Sequence, residues 1–214
     1  MEIYKILSVL LCYPEYDLIS GLDEIKERIN QSGIDCSALM PLIEQLQEQD
    51  LISLQENYVQ TFDRTPTHAL HLFEHLHGED RARGQALVDL MQEYQQYGFE
   101  PIGDELPDYL PLFLEFLSVC EPEKAAAYLG EAIHVIAYIG QKLQNNASVY
   151  AGIFQVLETL SPIQAEPLTV PPVRDMDEAL EKFGPGVDGV EPLLQNNMSS
   201  LTETIKFYPQ RKPA

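Results

Sequence analysis

The spacing of the apolar residues is what most constrains this fold. From residue 3 to residue 160 they recur every three or four positions, and no comparable stretch alternates with period two. Ile3, Leu7, Leu10 and Leu11 make one stripe, which must end near Pro14; Leu22, Ile25 and Ile29 make a second, stopped at Gly33; Leu39, Leu42, Ile43 and Leu46 make a third. Asp50 stands where a helix cap belongs, ahead of Leu51, Leu54, Tyr58 and Phe62. Leu87, Leu90, Met91 and Tyr94 continue the pattern, followed by Tyr109, Leu112, Phe113, Phe116, Leu117 and Cys120. Leu129, Ile133, Ile136 and Leu143 give another stripe, and Val149, Ile153, Val156, Leu157 and Leu160 the last. The pattern predicts an all-α protein, an irregular bundle of about eight helices that bury their stripes against one another. No segment repeats at a fixed period, which argues against a solenoid.

The character changes after Ser161. Pro162, Pro167, Pro171, Pro172, Pro185 and Pro192 fall in a stretch with few large apolar residues and an acidic excess. This divides the chain into a helical domain, 1–161, and an extended or partly disordered C-terminal arm, 162–214. One short helix is expected within the arm, from Asp175 to Phe183, and the locally basic end from Lys206 to Lys212 should fray.

Charge narrows the classes of partner. There are 34 Asp and Glu against 13 Lys and Arg, a net charge of −21. Such a surface repels phosphate backbones and anionic lipid and steers a basic partner towards it. Nucleic acid is therefore not an expected ligand. No apolar run approaches the ~18 residues of a membrane span. Cys12, Cys36 and Cys120 lack the pairing of a disulfide framework, and Met1 and Glu2 are not followed by a basic leader. These features predict a cytoplasmic address and no stable membrane insertion.

One stretch suggests chemistry. Residues 71–75 read His-Leu-Phe-Glu-His, the H-x-x-E-H pattern of inverted zinc metalloproteases. On a helix, His71 and His75 would share a face and could share a metal; with His68 they would form a stripe equally suited to a groove wall. A third metal ligand is not assignable, and rings hydrogen-bonded to carboxylates and carbonyls are the plainer expectation. No G-x-S-x-G, phosphate-cradling loop or paired cysteine motif occurs. Asp104, Glu105 and Asp108 read as helix-capping acids rather than a catalytic dyad.

Several stretches taken together resemble a known family. LLCYP at Leu10 to Pro14, YVQTFDR at Tyr58 to Arg64, HLFEHLHGEDRARGQALVDLMQEY at His71 to Tyr94 and ELPDYLPLFLEFLS at Glu105 to Ser118 are similar to the NarJ-type assembly chaperones of respiratory nitrate reductase. The resemblance implies the all-helical TorD-like fold and a non-enzymatic chaperone. Such a chaperone binds the N-terminal peptide of the apo catalytic subunit until molybdopterin guanine dinucleotide is inserted. The cofactor belongs to the client, and none is expected to stay bound here; the chaperone itself should be a monomer or weak dimer. In the wider class an E-x-P-x-D-H element occurs; here Glu105, Pro107, Asp108 and Tyr109 stand at the similar place, in a shortened form with Tyr for His. DMDEALEKF at Asp175 to Phe183 is similar to the acidic, aromatic patch in the tail of these chaperones, without its Trp.

The resemblance directs attention to a peptide groove. An amphipathic helical peptide lays its apolar side between helices while its basic side chains meet acidic rims. The candidate groove residues are Tyr58, Phe62 and Asp63, then His71, Glu74 and His75, then Glu105, Asp108, Tyr109 and Leu110. No residue is assigned a catalytic or metal-binding role. A zinc hydrolase built on His71 and His75, or an acidic adaptor for another basic partner, are the alternatives to be weighed against this reading.

Overall fold

The computed structural model describes residues 2–77 and 81–168. Within them lie ten α-helices: α1 (Glu2–Leu10), α2 (Tyr16–Ser20), α3 (Leu22–Gln31), α4 (Met40–Glu48), α5 (Leu51–Tyr58), α6 (Leu72–His77), α7 (Arg81–Gln96), α8 (Leu110–Val119), α9 (Pro122–Asn145) and α10 (Ala151–Leu160). A π-helical turn, Val59–Asp63, continues α5, and 3-10 turns occupy Ser37–Leu39 and Pro66–His68. The sole β-type pairing among the described residues is an antiparallel bridge between His71 and Tyr109. No described helix is long and apolar enough to cross a membrane.

The periodic stripes become the core. Leu7, Leu11, Ile43, Phe113, Leu117, Leu129, Ile136, Ile153 and Leu157 are all fully buried in one hydrophobic cluster. Removing such side chains from water is the main favourable term in folding, worth about 1.5–3 kcal/mol for each large aliphatic or aromatic residue. Helix α1 lies along α8, and α9 folds back on α10. Where α10 crosses the 3-10 turn, Gly152 is required: a Cβ there would stand 1.9 Å from the carbonyl oxygen of Ala38.

The local signals act as their chemistry demands. The Asp50 carboxylate accepts from the backbone N–H of Ser53 at 3.1 Å, capping α5. Gly33, just beyond α3, has φ +70°, a conformation that side chains with a Cβ disfavour. The two helices beyond the expected eight are the shortest, α2 and α6, of five and six residues. Neither spans two turns, so neither can display a repeated stripe. Three stripes also begin before their helices, since Leu39 precedes α4, Tyr109 precedes α8 and Val149 precedes α10.

Beyond α10 the chain turns back over α9. Pro162 and Ile163 lie against Gly130, and the backbone N–H of Glu166 donates to Nδ1 of His134 at 2.9 Å. The start of the expected arm is thus seated on the bundle. The anticipated helix at Asp175 to Phe183 and the basic end at Lys206 to Lys212 lie outside the described residues.

Candidate functional site

The site begins where α5 widens. The N–H of Arg64 donates to the carbonyl of Val59 at 3.0 Å, a five-residue span in place of the four of an α-helix. The wider turn brings Phe62 and Asp63 to the same cavity as Tyr58, while Gln60 and Thr61 line a separate cleft with His68 and Asn146. The Tyr58 and Phe62 rings pack at 4.9 Å, and Phe62 lies 4.9 Å from Tyr150 in the core. Tyr58 donates its hydroxyl proton to the carbonyl of Leu11 at 2.9 Å. Its oxygen is 3.2 Å from that of Tyr109, so Tyr109 acts as the donor between them. Burial, then the neighbouring phenol, pushes the Tyr58 pKa up, and burial pushes Tyr109 up to about 12. Both rings stay neutral at physiological pH.

The second wall is the bridge between residues distant in sequence. Leu72 N–H donates to Asp108 O at 3.1 Å, and Leu110 N–H to Leu70 O at 2.8 Å. Asp108 is 0% exposed, and its Oδ2 accepts from Phe73 N–H at 3.0 Å, so it caps the first turn of α6 from across the cavity floor. Its Oδ1 is 3.4 Å from His71 Nδ1. Tyr94 holds the neighbouring backbone by donating to Pro107 O at 2.7 Å. Buried donors and acceptors so matched fix the position of the wall from beneath.

These elements enclose about 470 Å³. Tyr58, Phe62, Asp63, His71, Glu74, Glu105 and Tyr109 line the cavity, along with Tyr13, Ala69 and Leu70. Among the described residues no Lys or Arg is in the lining. Glu74 receives a hydrogen bond from Arg83 at 3.1 Å, whereas Asp63 and Glu105 are exposed and have no ion pair among the described residues. The His71 pKa is raised, chiefly by its hydrogen bond to Asp108; burial opposes this, and the charges of Asp108, Glu74 and Glu105 add to it. The result is an aromatic-floored concavity of negative potential, suited to a cation that carries apolar surface.

Seven of the ten sequence-derived candidates thus share one cavity, and three do not line it. His75 is 2% exposed, with Nε2 donating to Ala69 O at 2.8 Å and its ring against Tyr138. Asp108 lies beneath the wall, and Leu110 is fully buried in the core. The expected histidine stripe on one helix face also needs correction. His68 lies on the 3-10 turn, where Nδ1 donates to Thr61 O and Nε2 accepts from Asn146; His71 precedes α6; only His75 lies within it. The H-x-x-E-H letters therefore do not set two imidazoles on a common helical face. Among the described residues no group of three or more His, Cys, Asp or Glu is arranged to hold a metal. Tyr13, which sequence reasoning quoted within LLCYP but did not place in the groove, packs edge-on to Tyr58 at 5.5 Å. The signal was present: an aromatic side chain directly before Pro14, where the first helix has to stop.

Fold and cavity together define an all-helical bundle with an acidic, aromatic-lined concavity at the junction of α5, α6 and α8. The chain belongs to the family of the nitrate reductase delta subunit, whose model matches residues 23–155. It is 38% identical over 160 residues to the nitrate reductase molybdenum cofactor assembly chaperone NarJ of Escherichia coli K12, covering 73% of this chain and 68% of that protein. It is 33% identical over 156 residues to a probable chaperone of the same name from Bacillus subtilis 168, covering 72% and 85%. A third match, 29% identical over 149 residues, is the nitrate reductase-like protein NarX of Mycobacterium tuberculosis H37Rv, of which only 22% is covered.

Proposed function

We propose that this chain is an assembly chaperone for a molybdenum-containing nitrate reductase, and that its cavity takes the N-terminal segment of the apo catalytic subunit. The similarity to the nitrate reductase chaperone of Escherichia coli and the probable one of Bacillus subtilis supports the client. The observation that carries the binding mode is the set of seven candidates, distant in sequence, around one concavity whose lining has no Lys or Arg among the described residues. A basic, amphipathic peptide matches it: apolar side chains meet Tyr58, Phe62 and Tyr109, while cations meet Asp63 and Glu105.

The action requires no bond to be broken. The chaperone stabilises the apo form of its client while the recognised segment is accessible, and that stabilisation is lost when cofactor insertion buries the segment. The molybdopterin guanine dinucleotide is the client's cofactor. The site of action is the cytoplasm, with the chaperone a monomer or weak dimer. Calorimetric titration of the full chain with a synthetic peptide of about 15 residues from the N-terminus of the catalytic subunit tests this, with a scrambled peptide of equal charge as control. Saturable binding with a negative heat-capacity change is expected, and weaker binding of the scrambled sequence. Equal affinity for both peptides would instead favour an adaptor for basic partners in general, and no heat from either would overturn the proposal.

A further inference from the structure

We propose that the recognition surface has a second compartment: the trough enclosed by α1, α2 and α3, which shares Tyr13 as a wall with the acidic cavity and seats aliphatic side chains of the same cationic, amphipathic segment. This rests on the reading of the cavity given above.

The trough measures about 410 Å³, and Ile6, Val9, Leu18 and Ile25 contribute its apolar surface. Ile6 and Leu18 are buried, but Val9 and Ile25 remain partly open. An apolar recess of this kind gains affinity when a side chain displaces its water. Its rim has the same sign of charge as the cavity. Glu15 and Asp17 have no ion pair among the described residues, and Glu15 stands at the N-cap of α2 without a side-chain capping bond. The two bases of the rim are already engaged, Lys5 by Glu115 and Arg28 by Glu2 and Glu24. A cationic segment therefore meets unpaired carboxylates rather than unpaired cations.

Tyr13 connects the two compartments. It is 42% exposed and is braced edge-on against Tyr58, so it divides the surface without closing it. Cys12 records the same proximity: its thiol pKa is pushed up by burial first, then by Glu115, with Glu105 of the cavity and Glu15 of the trough also raising it. Carboxylates from both compartments thus act on one thiol, which lines the trough beside Tyr13. A segment with its cation near Asp63 and Glu105 would have its aliphatic residues beside the trough.

The test uses the full chain, the same catalytic-subunit peptide, and the separate variants Val9→Lys and Ile25→Lys. Each replaces partly exposed trough surface with a charge that repels the peptide, and each is expected to weaken binding about tenfold in a chain that still melts cooperatively. If the wild type binds and both variants bind equally well, the trough proposal is overturned while the cavity reading stands. If the wild type does not bind, both fall. Should a variant fail to fold, peptides carrying a benzophenone at each aliphatic position settle the matter on the wild-type chain. Cross-links to residues 6–9 and 18–25 are expected; cross-links confined to residues 13, 58–74 and 105–109 would overturn the proposal.

Discussion

At the crossing of α10 with the 3-10 turn, helix and backbone meet with no space between them, Gly152 lying directly over the Ala38 carbonyl. In the C-terminal part of α9, Gly140 lies close against Phe154, where a Cβ would stand 2.7 Å from that of the phenylalanine. At the cavity, Tyr58, Phe62 and Tyr109 also have their backs to the core, yet between them they leave about 470 Å³, and Asp63 and Glu105 face solvent with no ion pair among the described residues. Both regions are rich in aromatic and aliphatic residues. The difference lies in where the hydrogen bonds go: beneath the cavity, Leu11, Phe73 and Pro107 backbone groups are bound by Tyr58, Asp108 and Tyr94, while the groups above remain available. A wall held from below can keep its shape without a ligand, which lowers the ordering cost of binding one.

The contrast predicts that the sealed region governs stability and the open rim governs recognition. The largest effect is expected from Gly152→Ala, whose methyl group has no room beside the Ala38 backbone; denaturant unfolding should show a loss of about 3 kcal/mol or more. A loss below about 1 kcal/mol would mean that the two helices are not sealed. Asp108→Ala lies at the boundary. It strands the Phe73 N–H and should cost about 2–3 kcal/mol of stability, with peptide affinity falling as the wall loosens.

The double change Asp63→Asn with Glu105→Gln should instead weaken peptide binding about tenfold while stability stays within about 0.5 kcal/mol, since both carboxylates are exposed and unpaired. Equal losses in both assays would erase the distinction between the regions. A partly buried carboxyl of α9 makes stability depend on pH. Glu131 on α9 has an Oε2 with no hydrogen-bond partner among the described residues, and burial, helped by Glu93, raises its pKa to about 7. A carboxyl raised in this way holds its proton in the fold after the unfolded chain has lost it, so stability falls as pH rises from about 4.5 to about 7. Glu131→Gln should therefore stabilise the fold at pH 8 by about 1 kcal/mol, the figure discounted for partial exposure, and by little near pH 5.

The smallest expected effect belongs to His71. Its raised pKa means that the ion pair with Asp108 contributes fully below the ordinary value of 6.5 and is lost as pH rises through the higher folded value. The stability difference between wild type and His71→Ala should be a few tenths of a kcal/mol in acid and shrink in alkali, as thermal melts across that range would show. Affinity for a cationic peptide should change in the opposite sense, rising as His71 loses its proton. A flat affinity from about pH 5.5 to 8 would place the ring outside the binding event.

Much of this was legible in the sequence. The stripes of Ile3 to Leu11 and Leu129 to Leu143 predicted buried helix faces because periodicity reports burial directly. Asp50 and Gly33 act where the chain needs a cap and a stop. The acidic cavity was partly legible, since its candidates came from resemblance and residue type. What escaped was non-local. H-x-x-E-H reads identically whether or not His71 is helical, and the bridge that keeps it out of α6 depends on Tyr109, a partner far along the chain. The reading of Asp108 as a capping acid was right in kind, but the helix it caps is α6 rather than its own neighbour α8. The π turn at Val59 to Asp63 has no local marker in residue type, which is why Phe62 was read as a continuation of the α5 stripe.

The claim that a cationic segment is recognised by the acidic rim is tested most directly by a charge cycle. Affinity would be measured for the catalytic-subunit peptide and for a version with its basic residues neutralised, each against wild type and the Asp63→Asn, Glu105→Gln double variant. If peptide cations meet these carboxylates, neutralising the peptide should weaken wild-type binding about tenfold and binding to the variant far less. Losses that simply add across the cycle would show that the charges act independently and would contradict the account.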